Sequence, residues 1–299
     1  MWRSRQIAES RMDSAEIARN HATNKDALDS TMLRALPARQ WAIFLLFALM
    51  AAGSCTHTPA SRQHGAFVAR ALDLDGRTYR YQVFVPSRSA GGARPPVVLF
   101  LHGSGERGDD NQRQLAAGLG PYIGRMRDDF PAIAVFPQSP EGASWTGETA
   151  RMALAALDAA MGEFGGDPDR VALTGLSRGG YGVYELALMQ PDRFAALVPI
   201  CGGVTAPAAI GDLYLHEVAT ADDPFTIAAQ RLHRIPVWAF HGARDDVVPP
   251  EQSRRMVEAL KQAGGDVRYT EFAQANHNAW DPAYATAELW AWLWRQRRH

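Results

Sequence analysis

Short apolar segments recur along the chain and alternate with segments in which apolar residues lie three or four positions apart. The apolar segments cover residues 96–101, 133–136, 171–173, 195–200, 237–240 and 267–272, and the periodic segments cover 111–126, 147–164, 179–190, 250–263 and 283–296. Continuous apolar strands are typical of a parallel sheet buried on both faces, and the periodic segments predict the helices that bury it. The sequence therefore predicts an α/β fold.

A hairpin is predicted ahead of these strands. Residues 67–74 and 78–85 have strand character and are joined at Asp75-Gly76, a dipeptide that favours a tight turn between antiparallel strands. We thus expect a mostly parallel central sheet with helices on both faces and an antiparallel hairpin at its start. In such sheets ligand-binding groups gather where the strands end, so polar residues at those points are the candidates for a site.

The segment Gly175-Leu-Ser177-Arg-Gly179 follows the apolar run at 171–173 and precedes a helix-like stretch at 181–190. This G-x-S-x-G pattern predicts a nucleophile elbow, a strand-to-helix turn that exposes a serine hydroxyl. Gly175 and Gly179 would make room for the strained turn because neither carries a side chain. With 26 glycines in the chain the pattern alone could arise by chance, but its flanks favour a catalytic serine.

A serine hydroxyl needs an imidazole to take its proton and a carboxylate to orient that imidazole. Two aspartates, Asp245 and Asp246, follow the apolar strand at 237–240, and either could be the acid. His277 follows the last predicted strand, whereas the other histidine beyond the acid, His299, ends a basic tail. The expected chain order of serine, acid and histidine therefore selects His277 as the base.

An oxyanion hole would complete such a site. One N–H should come from the residue after the nucleophile, which is Arg178, and another from the loop after the strand at 97–101. That loop reads His102-Gly-Ser104-Gly-Glu-Arg-Gly108, and we predict the Ser104 N–H as the second donor. His102 is expected to hold the loop rather than to react.

Four segments carry a resemblance to a known family: the loop H-G-S-G-E-R-G, the elbow G-L-S-R-G-G, the segment H-G-A-R-D-D-V-V-P and the segment N-H-N-A-W. With these segments in this order, residues 66–299 resemble an α/β-hydrolase of the phospholipase/carboxylesterase and dienelactone-hydrolase group. Bacterial proteins known as predicted peptidases share these features. The resemblance implies Asp245 as the acid, because the fifth residue of H-G-x-x-D takes that role. It also implies a carboxylic ester hydrolase acting through an acyl-enzyme. Dienelactone hydrolases proper use a cysteine nucleophile, where this chain has Ser177.

The N-terminal part predicts export. Residues 41–52 are apolar, follow Arg34 and Arg39, and lead into Cys55; they are too few to span a bilayer but suit a signal sequence. Cys55 resembles the lipidated cysteine of a bacterial lipoprotein, although ordinary cleavage is an alternative. Such a signal would be complete from Met32, so the true start is Met1 or Met32. We expect a leader at 1–55, a linker at 56–65, a catalytic domain at 66–299, and a periplasmic or membrane-anchored location.

The composition narrows the range of partners. The chain has 299 residues, 46% of them hydrophobic, and a net charge of -1, so nothing favours nucleic acid. No H-E-x-x-H or P-loop pattern occurs, so we predict no metal or cofactor. Cys201, the other cysteine, lies in an apolar run and should be buried. The expected partner is a small-molecule ester, together with a membrane if Cys55 is lipidated; the oligomeric state is left open.

Three aromatic residues are candidates for a substrate pocket: Trp145, Tyr181 beside the elbow, and Trp280 beside His277. Each is equally compatible with an ordinary core position. Three functions therefore stay open. The first is an esterase, the second a peptidase or other acyl hydrolase with the same three residues, and the third a non-catalytic envelope-anchored binding protein.

Overall fold

The computed structural model describes residues 64–87, 92–208 and 210–298. An eight-stranded sheet runs through them in the order β1-β2-β4-β3-β5-β6-β7-β8. The strands are β1 Ala66–Leu74, β2 Arg77–Val85, β3 Val97–Leu101, β4 Ile133–Pro137, β5 Val171–Leu176, β6 Ala196–Ile200, β7 Val237–Gly242 and β8 Val267–Phe272. β1 and β2 form an antiparallel hairpin, β2 pairs antiparallel with β4, and the remaining neighbours are parallel. The predicted mixed sheet is confirmed.

In the part of the chain that the structure describes, seven α-helices connect and cover the strands. They are α1 Leu119–Arg125, α2 Gly147–Phe164, α3 Arg178–Met189, α4 Pro224–Leu232, α5 Glu251–Gln262, α6 Trp280–Ala285 and α7 Ala287–Leu293. Buried side chains of α2, α3, α4 and α5 pack with one face of the sheet, and those of α1, α6 and α7 pack with the other. β3, β4 and β5 are buried throughout, which explains their unbroken apolar sequences.

Two predicted helices are wrong in extent. Within 111–126 only a 3-10 turn at Arg113–Leu115 and the short α1 form, because Gly118 between them has a φ of 65° that an α-helix cannot contain. The predicted helix at 283–296 is two helices, α6 and α7, since Thr286 between them has an extended backbone with ψ 107°. The predicted leader, linker and Cys55 lie outside the described residues, apart from His64 and Gly65. No helix in the described ranges is both long and apolar enough to cross a membrane.

Candidate active site

Ser177 lies on the turn between β5 and α3 with a φ of 53°, a left-handed conformation that is strained for a residue with a side chain. The two glycines of the motif allow this turn. A Cβ on Gly175 would lie 2.4 Å from the Gly179 carbonyl oxygen, and one on Gly179 would lie 1.9 Å from the Leu101 carbonyl oxygen. The Ser177 N–H donates to the Ile200 carbonyl at 2.9 Å, which ties the turn to β6. The elbow predicted from the sequence is therefore present.

A continuous hydrogen-bond chain joins the predicted serine, histidine and aspartate. The Ser177 Oγ lies 2.9 Å from Nε2 of His277, and Nδ1 of His277 lies 2.7 Å from Oδ2 of Asp245. Because a carboxylate can only accept, Nδ1–H is the donor, which leaves Nε2 free to accept the serine proton. Residues 100 positions apart in sequence thus meet at the carboxyl edge of the sheet.

Asp245 is a buried carboxylate with several donors. Its Oδ1 accepts from the N–H groups of Val247 and Val248, both at 2.9 Å, and its Oδ2 lies 3.2 Å from Nε2 of His241. Burial acts to raise the pKa of Asp245, but the hydrogen bonds from His241 and His277 and from the Val248 N–H outweigh it and hold the pKa well below its usual range. The acid is therefore kept ionised and fixed in place.

His241 is itself fully buried at the end of β7 and extends this network. Its Nδ1 lies 2.7 Å from the Ser253 hydroxyl on α5, and its Nε2 lies 2.9 Å from the Val248 carbonyl. His241 belongs to the H-G-A-R-D-D-V-V-P segment, but no contact between His241 and Asp245 was predicted from the sequence. Its position four residues before the acid, at the end of an apolar strand, was the signal that it contacts Asp245.

The two residues predicted to donate to an oxyanion are in direct contact through their side chains. Arg178 is the first residue of α3. Ser104 is the first residue of a 3-10 turn, Ser104–Glu106, in the loop that follows β3. A Cβ on Gly103 would lie 3.6 Å from the Ser177 Cβ, so this loop runs against the elbow. The Arg178 guanidinium is almost buried; its Nε donates to the Ser104 Oγ at 2.9 Å, and its Nη1 contacts the Ser144 hydroxyl and Asp212.

His102 holds this loop, as its position suggested. Its Nδ1 lies 2.7 Å from the Gly103 carbonyl, and its Nε2 accepts from the Ser139 N–H at 3.0 Å. Burial lowers its pKa to about 4, so it stays neutral at physiological pH. Trp145, predicted as a pocket residue, donates from Nε1 to the His102 carbonyl at 2.9 Å and is 2% exposed. Trp145 therefore helps to hold the loop that begins at His102.

Cys201 is buried, as predicted, and it also contacts the site, which the sequence did not predict. It follows β6, is fully buried and has a φ of 49°, a left-handed value like that of Ser177. Its Sγ donates to the His277 carbonyl at 3.0 Å. Among the described residues, potential ligand atoms of Cys201, Asp245 and His277 lie within 4.8 Å of one another. The thiol, the two ring nitrogens and the carboxylate each have a hydrogen-bond partner in the protein, so we assign no metal to them.

Two cavities are lined by residues that neighbour the candidate site in sequence. A narrow one of about 10 Å³ lies between α3 and residues 213–215 and is lined in part by Trp145, Arg178 and Tyr181. A groove of about 700 Å³ lies between α1 and α6 and includes Trp280, whose ring stands edge-on to that of His277 with centroids 5.5 Å apart. Trp280 is thus the most open of the three predicted pocket residues. Tyr181 is 2% exposed, and its hydroxyl donates to the Thr205 carbonyl at 3.1 Å.

A mostly parallel sheet whose carboxyl edge brings together a serine on an elbow, an aspartate and a histidine, in that chain order, defines the α/β-hydrolase class. The resemblance found in the sequence is confirmed at this level. The chain belongs to the prolyl oligopeptidase family, whose profile matches residues 143–298. The matched region contains the elbow, the acid loop and the histidine loop.

Several known proteins are similar to this chain. A solved structure described as a thermostable esterase is 31% identical, with a TM-score of 0.63, over 78% of this chain and 63% of its own. A Mycobacterium tuberculosis protein described as a probable carboxylic ester hydrolase, LipM, is 25% identical over 221 residues, 60% of this chain and 48% of its own. An uncharacterized secreted protein of Arthroderma benhamiae is 26% identical over 212 residues, 62% of this chain and 21% of its own. The chain therefore spans less than two thirds of each of these relatives.

Proposed function

We propose that the protein is a serine hydrolase that cleaves carboxylic esters, with Ser177 as the nucleophile, His277 as the base and Asp245 as the acid. The observation that carries the proposal is the unbroken hydrogen-bond chain from the Ser177 hydroxyl through His277 to Asp245, with links of 2.9 and 2.7 Å. These lengths lie within the reach that proton transfer requires. The similarity to the thermostable esterase supports an ester as the substrate.

In the first half of the reaction the Ser177 oxygen attacks the ester carbonyl carbon while His277 Nε2 takes the hydroxyl proton. The carbonyl π electrons move to oxygen, and the amides of Ser104 and Arg178 donate to the resulting oxyanion. Asp245 stabilises the imidazolium that forms, without taking the proton itself. As the oxyanion collapses, the carbon–alkoxide bond breaks, and His277 gives its proton to the departing alkoxide.

In the second half a water molecule replaces the alcohol. His277 Nε2 takes a proton from that water as its oxygen attacks the acyl-enzyme carbonyl, and the same two amides hold the second oxyanion. Collapse breaks the bond between the acyl carbon and Ser177 Oγ, and the proton returns from His277 to the serine. The products are a carboxylic acid and an alcohol, and the enzyme is regenerated.

A peptidase is the second candidate, and membership of the prolyl oligopeptidase family favours it. The same three residues would then act on an amide, with His277 protonating a departing amine. Matched aryl esters and peptidyl anilides of the same acyl group separate the two functions. We expect the ester to be cleaved and the anilide to be cleaved far more slowly; efficient anilide cleavage would reverse the assignment.

We also propose that the protein acts outside the cytoplasm. The apolar residues at 41–52 and the similarity to the uncharacterized secreted protein of Arthroderma benhamiae support export. More specifically, we propose that a lipidated Cys55 attaches the protein to a membrane. We also propose that the chain is divided into a leader, a linker and a catalytic domain at 66–299. Mass spectrometry of the mature N-terminus from membrane and soluble fractions tests both points.

Labelling with a fluorophosphonate probe tests the catalytic assignment. The wild-type protein should be labelled at Ser177, and Ser177→Ala should lose labelling and about six orders of magnitude of kcat, because the members of such a set act as a unit. His277→Ala should lose labelling as well. Ser87→Ala, which removes a hydroxyl from a loop beyond β2, is the matched control and should keep both. Full esterase activity in Ser177→Ala, or no labelling of the wild type, would refute the proposal.

A further inference from the structure

Two imidazoles contact the same oxygen of Asp245. Nδ1 of His277 lies 2.7 Å from Oδ2, and Nε2 of His241 lies 3.2 Å from it. The other oxygen, Oδ1, accepts from the backbone N–H groups of Val247 and Val248. His241 therefore shares with the proposed base the one oxygen that has to stabilise the imidazolium, although His241 does not contact the proton that is transferred.

The surroundings of His241 fix the position of its proton. Nε2 faces two acceptors, the Val248 carbonyl at 2.9 Å and the Asp245 carboxylate, so the ring proton belongs on Nε2. Nδ1 lies 2.7 Å from the Ser253 hydroxyl, which can donate its proton to this nitrogen. The ring is fully buried, so solvent does not compete for either nitrogen. His241 thus directs an N–H at the carboxylate, and Ser253 on α5 stabilises that tautomer.

A second donor on the carboxylate changes what it can do for the base. Burial acts to raise the pKa of Asp245, and the contact with His241 is the strongest of those that lower it. A carboxylate that accepts this hydrogen bond is a weaker base, and it stabilises the imidazolium of His277 less. We propose that His241 is a positioning residue that fixes Asp245 and moderates its pull on His277, so that the base is neutral at a lower pH. This inference rests on the proposed function.

Other titratable groups packed around the acid keep one charge near neutral pH. Burial raises the pKa of the Tyr181 phenol and that of the Cys201 thiol, so both stay neutral. Glu271, on β8 beside His241, has its pKa lowered by its hydrogen bonds from Arg254, so it stays ionised. The acid limb of a kcat/KM profile, where activity rises as the base loses its proton, is therefore the quantity that reports on the proposal.

Two substitutions at His241 separate its donor from its bulk. In His241→Gln the side-chain amide nitrogen takes the place of Nε2 and keeps a donor to Asp245. In His241→Asn the shorter side chain reaches Ser253 but not the carboxylate, so that donor is lost. The profile of kcat/KM with 4-nitrophenyl acetate is measured for the wild type and both variants. Ser253→Ala is the matched control, since it removes a hydroxyl from the same network but leaves Nε2 facing the same two acceptors.

His241→Asn should move the acid limb up by about half to one pH unit, because Asp245 then stabilises protonated His277 more strongly. His241→Gln and Ser253→Ala should leave the limb where it is in the wild type, whatever they do to the plateau of kcat/KM. A merely structural role of His241 would lower the plateau in both His241 variants without moving the limb. A limb that stays in place in His241→Asn, or that moves equally in His241→Gln, would overturn the proposal.

A measurement on the wild-type protein tests the same point without turnover. Long-range ¹H–¹⁵N spectra distinguish a protonated from an unprotonated imidazole nitrogen. At a pH above the acid limb we expect a proton on Nε2 of His241 and on Nδ1 of His277. An unprotonated Nε2 in His241 would overturn the proposal, and this result does not require that either variant folds. Absence of Ser177-dependent ester cleavage in the wild type would instead refute the proposed function.

Discussion

The Nε of Arg178 donates a 2.9 Å hydrogen bond to the Ser104 Oγ, so one side chain links the two residues proposed to hold the oxyanion with their amides. Arg178 would supply one donor through its own N–H and position the other through its guanidinium. Nη1 of the same guanidinium donates to the Ser144 hydroxyl. Because oxyanion donors act only when they are placed for the developing charge, this link should influence kcat more than KM.

Arg178→Met and Ser104→Ala each break this link while leaving both backbone N–H groups in the chain. We expect each variant to lower kcat by about ten- to a hundredfold, with KM little changed, because a small displacement of one donor costs that much. The double variant should be no slower than the worse single variant, since both changes remove the same hydrogen bond. Steady-state kinetics on an acetate ester measure all three.

Asp212→Asn is the control for this prediction. It alters the other charged contact of Arg178, but Asp212 is largely exposed and 3.4 Å away, so kcat should change by less than about threefold. Losses that multiply in the double variant, or that fall on KM alone, would show that the link does not position the oxyanion donors.

The elbow and the succession of strands and helices along the chain could be predicted from the sequence because each rests on local patterns: apolar runs, glycines at fixed spacing and a turn dipeptide. The contacts of the Arg178 side chain could not, since they join residues 74 and 34 positions apart. The same holds for Cys201, whose sulfur meets the His277 carbonyl only when β6 and the last loop are adjacent. Helix ends were misplaced where one backbone angle, at Gly118 or Thr286, interrupts a regular apolar pattern.

Gly179→Ala should abolish activity and destabilise the protein. The added Cβ would lie 1.9 Å from the Leu101 carbonyl oxygen, a backbone atom that cannot move without shifting β3. We expect kcat to fall below detection and the free energy of unfolding to drop by more than about 2 kcal/mol, as for other overpacked sites. Gly162→Ala, on the exposed side of α2 with no atom within 4 Å of the new Cβ, is the matched control. It should be active and about 0.5–1 kcal/mol more stable.

Cys201→Ala should slow the reaction by removing the thiol that donates to the His277 carbonyl. Loss of one hydrogen bond predicts about 1 kcal/mol less stability and a kcat several-fold lower, because the histidine loop loses an anchor. Cys201→Ser keeps a donor at this place and should restore most of kcat. Thr174→Val removes a hydroxyl that donates to the Val198 carbonyl in the same core, away from His277. If Thr174→Val lowers kcat as much as Cys201→Ala does, the effect of Cys201 is general destabilisation.

His102 should make the protein less stable as the pH falls from about 6.5 to 4. Burial lowers its pKa from 6.5 to about 4, so within this window the unfolded chain takes up a proton that the folded protein refuses. Stability therefore rises with pH across the window, and this residue alone accounts for about 3 kcal/mol between its two ends. His102→Gln should be less stable at pH 7, because it disturbs the hydrogen bond from the Ser139 N–H, but should lose this part of the pH dependence.

Urea unfolding from pH 4 to pH 8 measures the effect as the difference between wild type and variant. Burial also raises the pKa of Glu185 to about 7, which gives a slope of the opposite sign, but that residue is common to both proteins and cancels in the difference. His216→Gln, which changes an exposed histidine whose backbone N–H donates to Glu185, is the control and should track the wild type at every pH. A constant difference between wild type and His102→Gln over the whole range would mean that His102 takes up a proton in the folded state as readily as in the unfolded one.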